Sequence, residues 1–317
     1  MEKTKSKGAF APMLPPGFED LLEDYRRHCS KNGLRESSIM LYEKECRWFL
    51  YNLADCGCTE TSQIAASRVV TACLALSSKS YLTTIRTFLR YCADSKHTDH
   101  DYSYVIPPYK RPQPVPAVYS EEEIRLMEAA INRDTAVGKR DYAIVLLASR
   151  LGLRLEDIRT IGFDELDFKS DTIKLLQGKT LVGLELPMVP ELKIALIDYI
   201  QNGRPDVDGV IFRISYPPFS QMSKGGVDAC FRRALSKAKI ENSDRGRGPR
   251  ALRSSLASSM VNDGVPYEAV RKTLGHLSRN AISHYAKLDI EQLRFYALPV
   301  FKATGAFADF LMGRRSV

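Results

Sequence analysis

The sequence has no apolar run near the roughly 20 residues that a membrane-spanning helix requires. Its first 16 residues carry lysines but no apolar stretch long enough to act as a secretion signal. It also lacks an internal repeat and any low-complexity tract. We therefore expect a globular protein that stays in the cytosol.

The cysteines follow neither a disulfide pattern nor a zinc pattern. There are seven, an odd number, and six of them fall in the first hundred residues, mostly in segments with helical spacing. Cys56 and Cys58 are close together but lack the second pair of cysteines or histidines that a zinc site needs. We expect reduced thiols packed among helices, and neither a metal nor another cofactor.

Length and charge narrow the class of protein further. A chain of 317 residues is long for a single core and favours two domains. The hydrophobic fraction of 44% and the charged fraction of 26% are ordinary for globular proteins, which argues against large-scale disorder. The net charge of +8 and the pI near 9.0 favour a polyanionic partner.

Apolar side chains at helical spacing predict an all-helical domain over residues 17–106, after a tail over 1–16. The predicted helices cover 18–31, 36–53, 61–76 and 78–93. The fourth helix has a basic face formed by Lys79, Thr83, Arg86 and Arg90. This face is either a DNA-facing surface or an ordinary solvated helix face.

Five prolines between Pro107 and Pro116 oppose both helix and sheet and predict an extended linker over 107–119. Ser120 then stands three residues before Glu123, the pattern of a capping box at a helix start. We therefore place a second domain at 120–300 and a tail at 301–317.

The second domain combines helical spacing with one β-rich segment. A helix over 140–149 should end at Gly152, and another should begin just after it. The segments 172–176 and 181–188 flank a turn at Gln177, Gly178 and Lys179, which predicts a β-hairpin with a lysine at its tip. Further helices are predicted over 191–201, 224–239, 251–262 and 266–274. The fold class is mainly α with a small antiparallel sheet, making the second domain α+β.

Five short stretches of the second domain carry candidate catalytic side chains. They contain Arg154 with Asp157, then Lys179, Arg250 with Arg253, His276, and Tyr285. Taken singly, each has an ordinary structural explanation. Arg154 could pair with Asp157 or Glu156, and Lys179 could be a solvated turn residue. Tyr285 could belong to the core, and His276 could cap a helix.

Together these residues resemble the catalytic domain of the tyrosine recombinases, also called phage integrases. That family has an arginine in a Gly-Leu-Arg turn, a hairpin lysine, a His-x-x-Arg box, and a Gly-His pair with a tyrosine nine residues after its histidine. The matching positions are Gly152-Leu153-Arg154, Lys179, Arg253, Gly275-His276 and Tyr285, and His276 and Tyr285 stand nine apart. The likeness covers 120–298 and, more loosely, 18–93, where the family has a helical core-binding domain. It implies a C-shaped clamp on DNA.

The resemblance implies that Tyr285 attacks a DNA phosphate held between Arg154 and Arg253 and forms a covalent 3'-phosphotyrosine. Guanidinium groups suit this task because they stay charged and offer two parallel donors to phosphate oxygens. Such a clamp needs no metal. The same positive pocket should favour the phenolate of a tyrosine, whose ordinary pKa is about 10.

The resemblance also assigns the remaining roles. The hairpin lysine, here Lys179, would give a proton to the departing DNA oxygen, and Lys174 is the poorer candidate because it lies within the strand. His276 would bond the phosphate or help remove the tyrosine proton. Asp157 would brace the active-site turn.

One position departs from the family pattern. The His-x-x-Arg box reads Arg250-x-x-Arg253, with two arginines on one helical face that could both reach the pocket. An arginine can donate to phosphate but cannot accept a proton near neutral pH, so any base function must pass to His276 or water. We expect Arg250 to matter more for strand exchange than for DNA binding.

The family's activity implies site-specific recombination of double-stranded DNA that carries inverted half-sites. Four protomers would assemble on two sites and exchange strands through a Holliday junction, and accessory DNA-bending or directionality factors are candidate partners. We expect integration or excision of a mobile element at the nucleoid. The alternatives are Xer-like dimer resolution, a type IB topoisomerase-like activity, and a catalytically silent DNA-binding regulator. The apolar tail over 301–317 would dock on a neighbouring protomer or fold back on its own domain.

Overall fold

The computed structural model describes residues 12–108, 118–178, 180–241, 245–246, 248–277 and 303–312. The chain divides into two compact units, Met1–Pro112 and Gln113–Val317. Within the described ranges, no helix is both long enough and apolar enough to cross a membrane.

The described part of the first unit is a helical bundle. Its helices are α1 (Pro16–Lys31), α2 (Glu36–Asp55), α3 (Ala66–Leu74) and α4 (Tyr81–Asp94), joined by 3-10 turns at Thr61–Gln63 and Tyr102–Val105. Helix α2 packs against the other three. Phe18, Phe49 and Phe88 are fully buried, so the apolar spacing read from the sequence does form the core.

Two predicted helices of this unit begin too early. Residues 61–76 are not one helix, because Ile64 and Ala65 have extended backbone between the 3-10 turn and α3. Ile64 is buried, and the bend turns its side chain into the core. Helix α4 starts at Tyr81 rather than at residue 78, because the Ser78 hydroxyl accepts the N–H of Ser80 and holds a local turn.

The second unit begins with the helices α5 (Glu121–Ala129), α6 (Ala136–Arg150) and α7 (Leu155–Thr160). The predicted capping box is confirmed, since Ser120 Oγ accepts the N–H of Glu123 and the Glu123 carboxylate accepts the N–H of Ser120. Helix α6 starts four residues earlier than the predicted helix over 140–149, because Thr135 caps it by accepting the N–H of Gly138 at 3.1 Å. It is the central helix, packed against α5, α7 and three later helices.

The sheet has three antiparallel strands in the order β1 (Leu166–Asp167), β2 (Thr172–Leu176) and β3 (Gly183–Pro187). Ile173 faces Leu186 and Leu175 faces Leu184, and these four side chains pack on the core. The predicted hairpin is confirmed. Strand β1 was missed because two residues are too few to show alternation. Strand β3 starts two residues later than expected, since Leu181 has a positive φ of 54° within the turn.

Among the residues that the structure describes, five more helices follow: α8 (Pro190–Asn202), α9 (Lys224–Lys237), α10 (Pro249–Asn262), α11 (Tyr267–Leu274) and α12 (Gly305–Leu311). Helix α9 ends two residues before the predicted end, and Lys239 has a left-handed φ of 55° beyond it. Helices α10 and α11 bury a small cluster that includes Val261 and Leu274. Phe307, Leu311 and Met312, at the C-terminal helix, are each more than 60% exposed.

A buried ion cluster joins α6 to α9. The Asp141 carboxylate accepts hydrogen bonds from Arg140 at 2.9 and 3.1 Å, from Arg233 Nε at 3.1 Å and from the Cys230 thiol at 3.1 Å. Arg140 and Asp141 are 6% and 5% exposed, so each charge is stabilised by the other rather than by water. Burial, and then the charge of Asp141, raise the pKa of Cys230 to about 12, so this thiol stays protonated.

Tyr119, near the start of the second unit, is held by a set of contacts that we call the Tyr119 clasp. Its N–H donates to Ser255 Oγ and its hydroxyl donates to the Gly246 carbonyl, both at 2.8 Å. Arg245 lies 4.4 Å above the ring and forms two hydrogen bonds of 2.8 Å with Glu123. The clasp ties the entry of the second unit to α10 and to the start of α5.

Candidate active site

Gly152 sets the position of Arg154. Helix α6 ends in a left-handed turn at Gly152, with a φ of 62°, and α7 begins directly after Arg154, which is its N-cap residue. A Cβ on Gly152 would lie 2.8 Å from the buried Leu274 side chain. Both the backbone angle and the close packing therefore require glycine here.

Arg253 enters the same region from α10. Its side chain is 6% exposed, although it carries a permanent positive charge. Nη1 donates to the Gly152 carbonyl at 2.7 Å, and Nη2 donates to the Leu274 carbonyl. These bonds fix the plane of the guanidinium against the ends of α6 and α11.

Arg154 reaches the same turn from the other side. Its Nη2 donates to the Gly275 carbonyl at 3.2 Å, and its Nη1 donates to Gln177 Oε1. The two arginines therefore converge on the consecutive carbonyls of Leu274 and Gly275, just before His276. We call Leu274–His276 the glycine turn.

The glycine turn ends α11 and orients His276. Gly275 has a left-handed φ of 61°, and the His276 N–H donates to the Arg271 carbonyl at 3.0 Å. The Arg271 guanidinium in turn donates to the His276 carbonyl at 2.7 Å. Burial, followed by the positive charges of Arg253, Arg154 and Arg271, lowers the His276 pKa from 6.5 to about 4. The imidazole is therefore neutral at pH 7, and one of its ring nitrogens can accept a hydrogen bond.

Gln177 is a site residue that the sequence interpretation missed. It is 0% exposed, and Oε1 accepts from Arg154 and, at 2.8 Å, from the Thr180 hydroxyl. Its Nε2 donates to the Leu274 carbonyl at 3.2 Å. Ile173, Leu175 and Gln177 alternate on the buried side of β2 and its extension. A polar amide in that inward register was the signal that could have identified it.

Asp157 braces the hairpin from α7. It is 5% exposed, and Oδ1 accepts the N–H of Gly178 at 3.0 Å. Its neighbour Glu156 pairs with Arg159 at 2.5 Å and with Lys224 at 3.5 Å. Through Asp157, the residue just before Lys179 is tied to the helix that follows Arg154.

The remaining predicted residues have different surroundings. Arg250 is exposed near the start of α10, whereas Arg253, one turn later, is buried. Lys174 pairs across the hairpin with Glu185 at 3.2 Å, as suits a strand residue. Lys179 and Tyr285 lie outside the described residues.

The predicted basic face of the first unit lies on α4 and just before it. Lys79 and Arg90 are exposed and Arg86 is half-buried, while Arg90 Nε also donates to Ser103 Oγ at 3.3 Å. All seven cysteines are free thiols. In the parts of the chain that the structure describes, no three histidine, cysteine or acidic side chains cluster so as to hold a metal.

Comparison with known proteins decides the family. The model of the phage integrase family matches residues 117–292, which is more than half of the chain. The chain belongs to the phage integrase family. As a member of these tyrosine recombinases it is a site-specific DNA recombinase, and the resemblance seen in the sequence is confirmed.

Individual relatives agree with this assignment. The chain is 27% identical to the putative integrase/recombinase y4rA of Sinorhizobium fredii over 297 residues, which cover 90% of this chain and 72% of that protein. It is 24% identical to the tyrosine recombinase XerD of Listeria monocytogenes, covering 87% of this integrase and 97% of XerD. A lambda integrase tetramer bound to a Holliday junction has the same fold, with a TM-score of 0.65, 16% identity, and coverage of 84% of this chain and 76% of that one.

Proposed function

We propose that this integrase cuts and rejoins double-stranded DNA through a 3'-phosphotyrosyl intermediate on Tyr285. The observation that carries the proposal is the convergence of Arg154 and Arg253 on the glycine turn, next to a neutral His276. Two guanidinium groups that converge on one turn offer paired donors to the oxygens of a DNA phosphate.

In the proposed reaction, the Tyr285 oxygen forms a bond to phosphorus while the bond to the 5' oxygen of the next nucleotide breaks. Arg154 and Arg253 stabilise the charge that develops on the non-bridging oxygens. Lys179 donates a proton to the departing 5' oxygen, and the tyrosine proton passes to His276 or to water. The phosphate ester is conserved in the intermediate, so a 5' hydroxyl from another duplex can reverse the step without ATP.

The test is a DNA duplex with a nick close to the cleavage position, so that the cut product diffuses away and the covalent adduct accumulates. The wild-type chain should form an adduct that survives denaturing electrophoresis, whereas Tyr285→Phe should bind the same DNA and form none. An adduct with Tyr285→Phe would refute the proposal. Failure of the wild-type chain to form one on DNA that it binds and recombines would refute it as well.

Arg250 is proposed to act on the phosphate during strand exchange. It stands in the box position where the family has histidine, and its exposure at the start of α10 leaves the guanidinium accessible to DNA. We expect Arg250→Ala to reduce strand exchange more than DNA binding. Equal loss of both on a labelled target would argue against this role.

We also propose how the protein assembles and which residues of the first unit contact DNA. Four protomers would act on two sites, as the lambda integrase tetramer on its Holliday junction suggests, with the exposed apolar side chains of α12 docking on a neighbour. Lys79, Arg86 and Arg90 would contact the DNA backbone. Replacing Lys79 by alanine should weaken binding to all sequences and reduce its salt dependence.

We assign the natural task to integration or excision of a mobile element, with the protein acting at the nucleoid. The name of the Sinorhizobium relative, a putative integrase/recombinase, supports this reading, as does the departure at Arg250. The Listeria XerD relative keeps Xer-like dimer resolution as the alternative. Recombination assays separate the two tasks. One substrate carries the ends of the DNA element around the gene, the other carries a chromosomal dimer-resolution site, and the rates of recombination are compared.

A further inference from the structure

Gln177 is the uncharged side chain that connects three parts of the candidate site. It follows β2 directly, its amide bonds the Arg154 guanidinium and the Thr180 hydroxyl, and it donates to the Leu274 carbonyl of the glycine turn. That carbonyl also accepts from Arg253. One buried amide therefore shares hydrogen bonds with the hairpin, with Arg154, and with the turn that carries His276.

We propose that Gln177 is a positioning residue that orients Arg154 for the scissile phosphate. The inference rests on the proposed function and concerns a residue that acts through Arg154 rather than on the DNA itself. An arginine side chain has many rotamers, and freezing one of them before substrate arrives removes that ordering cost from the reaction. The bond from Nη1 to Gln177 and the bond from Nη2 to Gly275 together fix the guanidinium plane.

The chemistry of glutamine matches this position. An amide has both an acceptor oxygen and a donor nitrogen, and here the oxygen faces two donors while the nitrogen faces a carbonyl. Methionine has a similar length but forms none of these three hydrogen bonds well. A glutamate would form a charged pair with Arg154 and would repel the incoming phosphate.

Gly275 provides the space for this arrangement. A Cβ on Gly275 would lie 2.7 Å from Gln177 Cδ and 2.8 Å from Nε2, so any larger residue would push the amide out of position. Because Gln177 lies on the hairpin extension, two residues before Lys179, a displaced hairpin would also release Arg154. We infer that the amide couples the placement of the hairpin to that of the arginine.

The experiment compares Gln177→Met with Gln201→Met, in which an exposed glutamine of α8 serves as the matched control. DNA affinity and the single-turnover cleavage rate at saturating protein are measured with the nicked duplex. We expect Gln177→Met to slow cleavage by about 10- to 100-fold, the effect of losing one hydrogen bond to a charged group, with affinity nearly unchanged. Gln201→Met should behave like the wild type.

A second comparison separates orientation of Arg154 from general damage to the fold. If Gln177 acts through Arg154, the double variant Arg154→Ala/Gln177→Met should cleave no more slowly than Arg154→Ala alone. Gln177→Glu keeps the acceptor that faces Arg154 and adds a charged pair with it, which provides a second test if the methionine variant does not fold. It should lose both cleavage rate and affinity.

Wild-type cleavage by either Gln177 variant would overturn the inference, as would an undiminished effect of Gln177→Met in the Arg154→Ala background. Tyr285→Phe in the same assay keeps the two proposals distinguishable. If Tyr285→Phe forms an adduct, the proposed function itself is refuted. If Tyr285→Phe forms none while the Gln177 variants cleave at the wild-type rate, only the positioning role is refuted.

Discussion

The low pKa of His276 predicts a specific pH dependence of stability. The unfolded chain should take up a proton on this histidine near pH 6.5, whereas the folded chain does so only near pH 4. Between these values the unfolded state binds more protons, so the free energy of unfolding falls as the pH falls. From pH 7 to pH 5 the loss due to His276 is at most about 2 kcal/mol, because its partial exposure screens the neighbouring charges.

The assay is urea unfolding followed by far-ultraviolet circular dichroism at pH 7 and pH 5, for the wild type and for His276→Gln. The only tryptophan, Trp48, lies in the first unit, so its fluorescence would miss the relevant transition. His276→Gln should lose less stability than the wild type over this interval, by about 1 to 2 kcal/mol. His100→Gln, at an exposed position of the first unit, should keep the wild-type pH dependence. Equal losses in the wild type and His276→Gln would refute the assigned environment of the imidazole.

Two further predictions concern stability alone. Asp141→Ala should cost about 3 to 5 kcal/mol, because it leaves the buried guanidinium of Arg140 without its carboxylate. Asp228→Ala, which breaks the exposed pair with Arg232, should cost less than about 1 kcal/mol, and similar melting temperatures for the two variants would contradict this reasoning. Ser120→Ala should cost about 1 kcal/mol through loss of the cap of α5, and an unchanged urea midpoint would count against the capping box.

Most of the fold follows from local patterns in the sequence. Helical spacing, the proline at the start of α8 and the left-handed glycines at 152 and 275 identify the helices and their ends, because each signal acts within a few residues. The two-residue strand β1 and the bend at Ile64 were missed for the converse reason. Two residues are too few for β1 to show alternation, and the bend at Ile64 accompanies burial of its side chain in the core, which no local pattern records.

The residues of the candidate site were likewise only partly predictable from the sequence. Gly-Leu-Arg, the second arginine and the Gly-His pair are short motifs, and the structure brings Arg154, Arg253 and His276 to one turn. Gln177 was not recognised because a glutamine between a strand and a glycine is common in ordinary turns. The three-dimensional meeting of β2 with Arg154 and the glycine turn gives it two long-range partners besides the nearby Thr180 hydroxyl. The roles of Lys179, Arg250 and Tyr285 remain predictions for the cleavage assays.

The Tyr119 clasp has a practical consequence for dividing the protein. A recombinant fragment that starts at Glu121 would contain every helix that the structure describes in the second unit. It would lack Tyr119, whose ring lies beneath Arg245 and whose N–H donates to Ser255 on α10. A fragment that contains only the second unit should therefore begin before Val118. It then includes Tyr119 and keeps the contacts of this residue with Arg245 and Ser255.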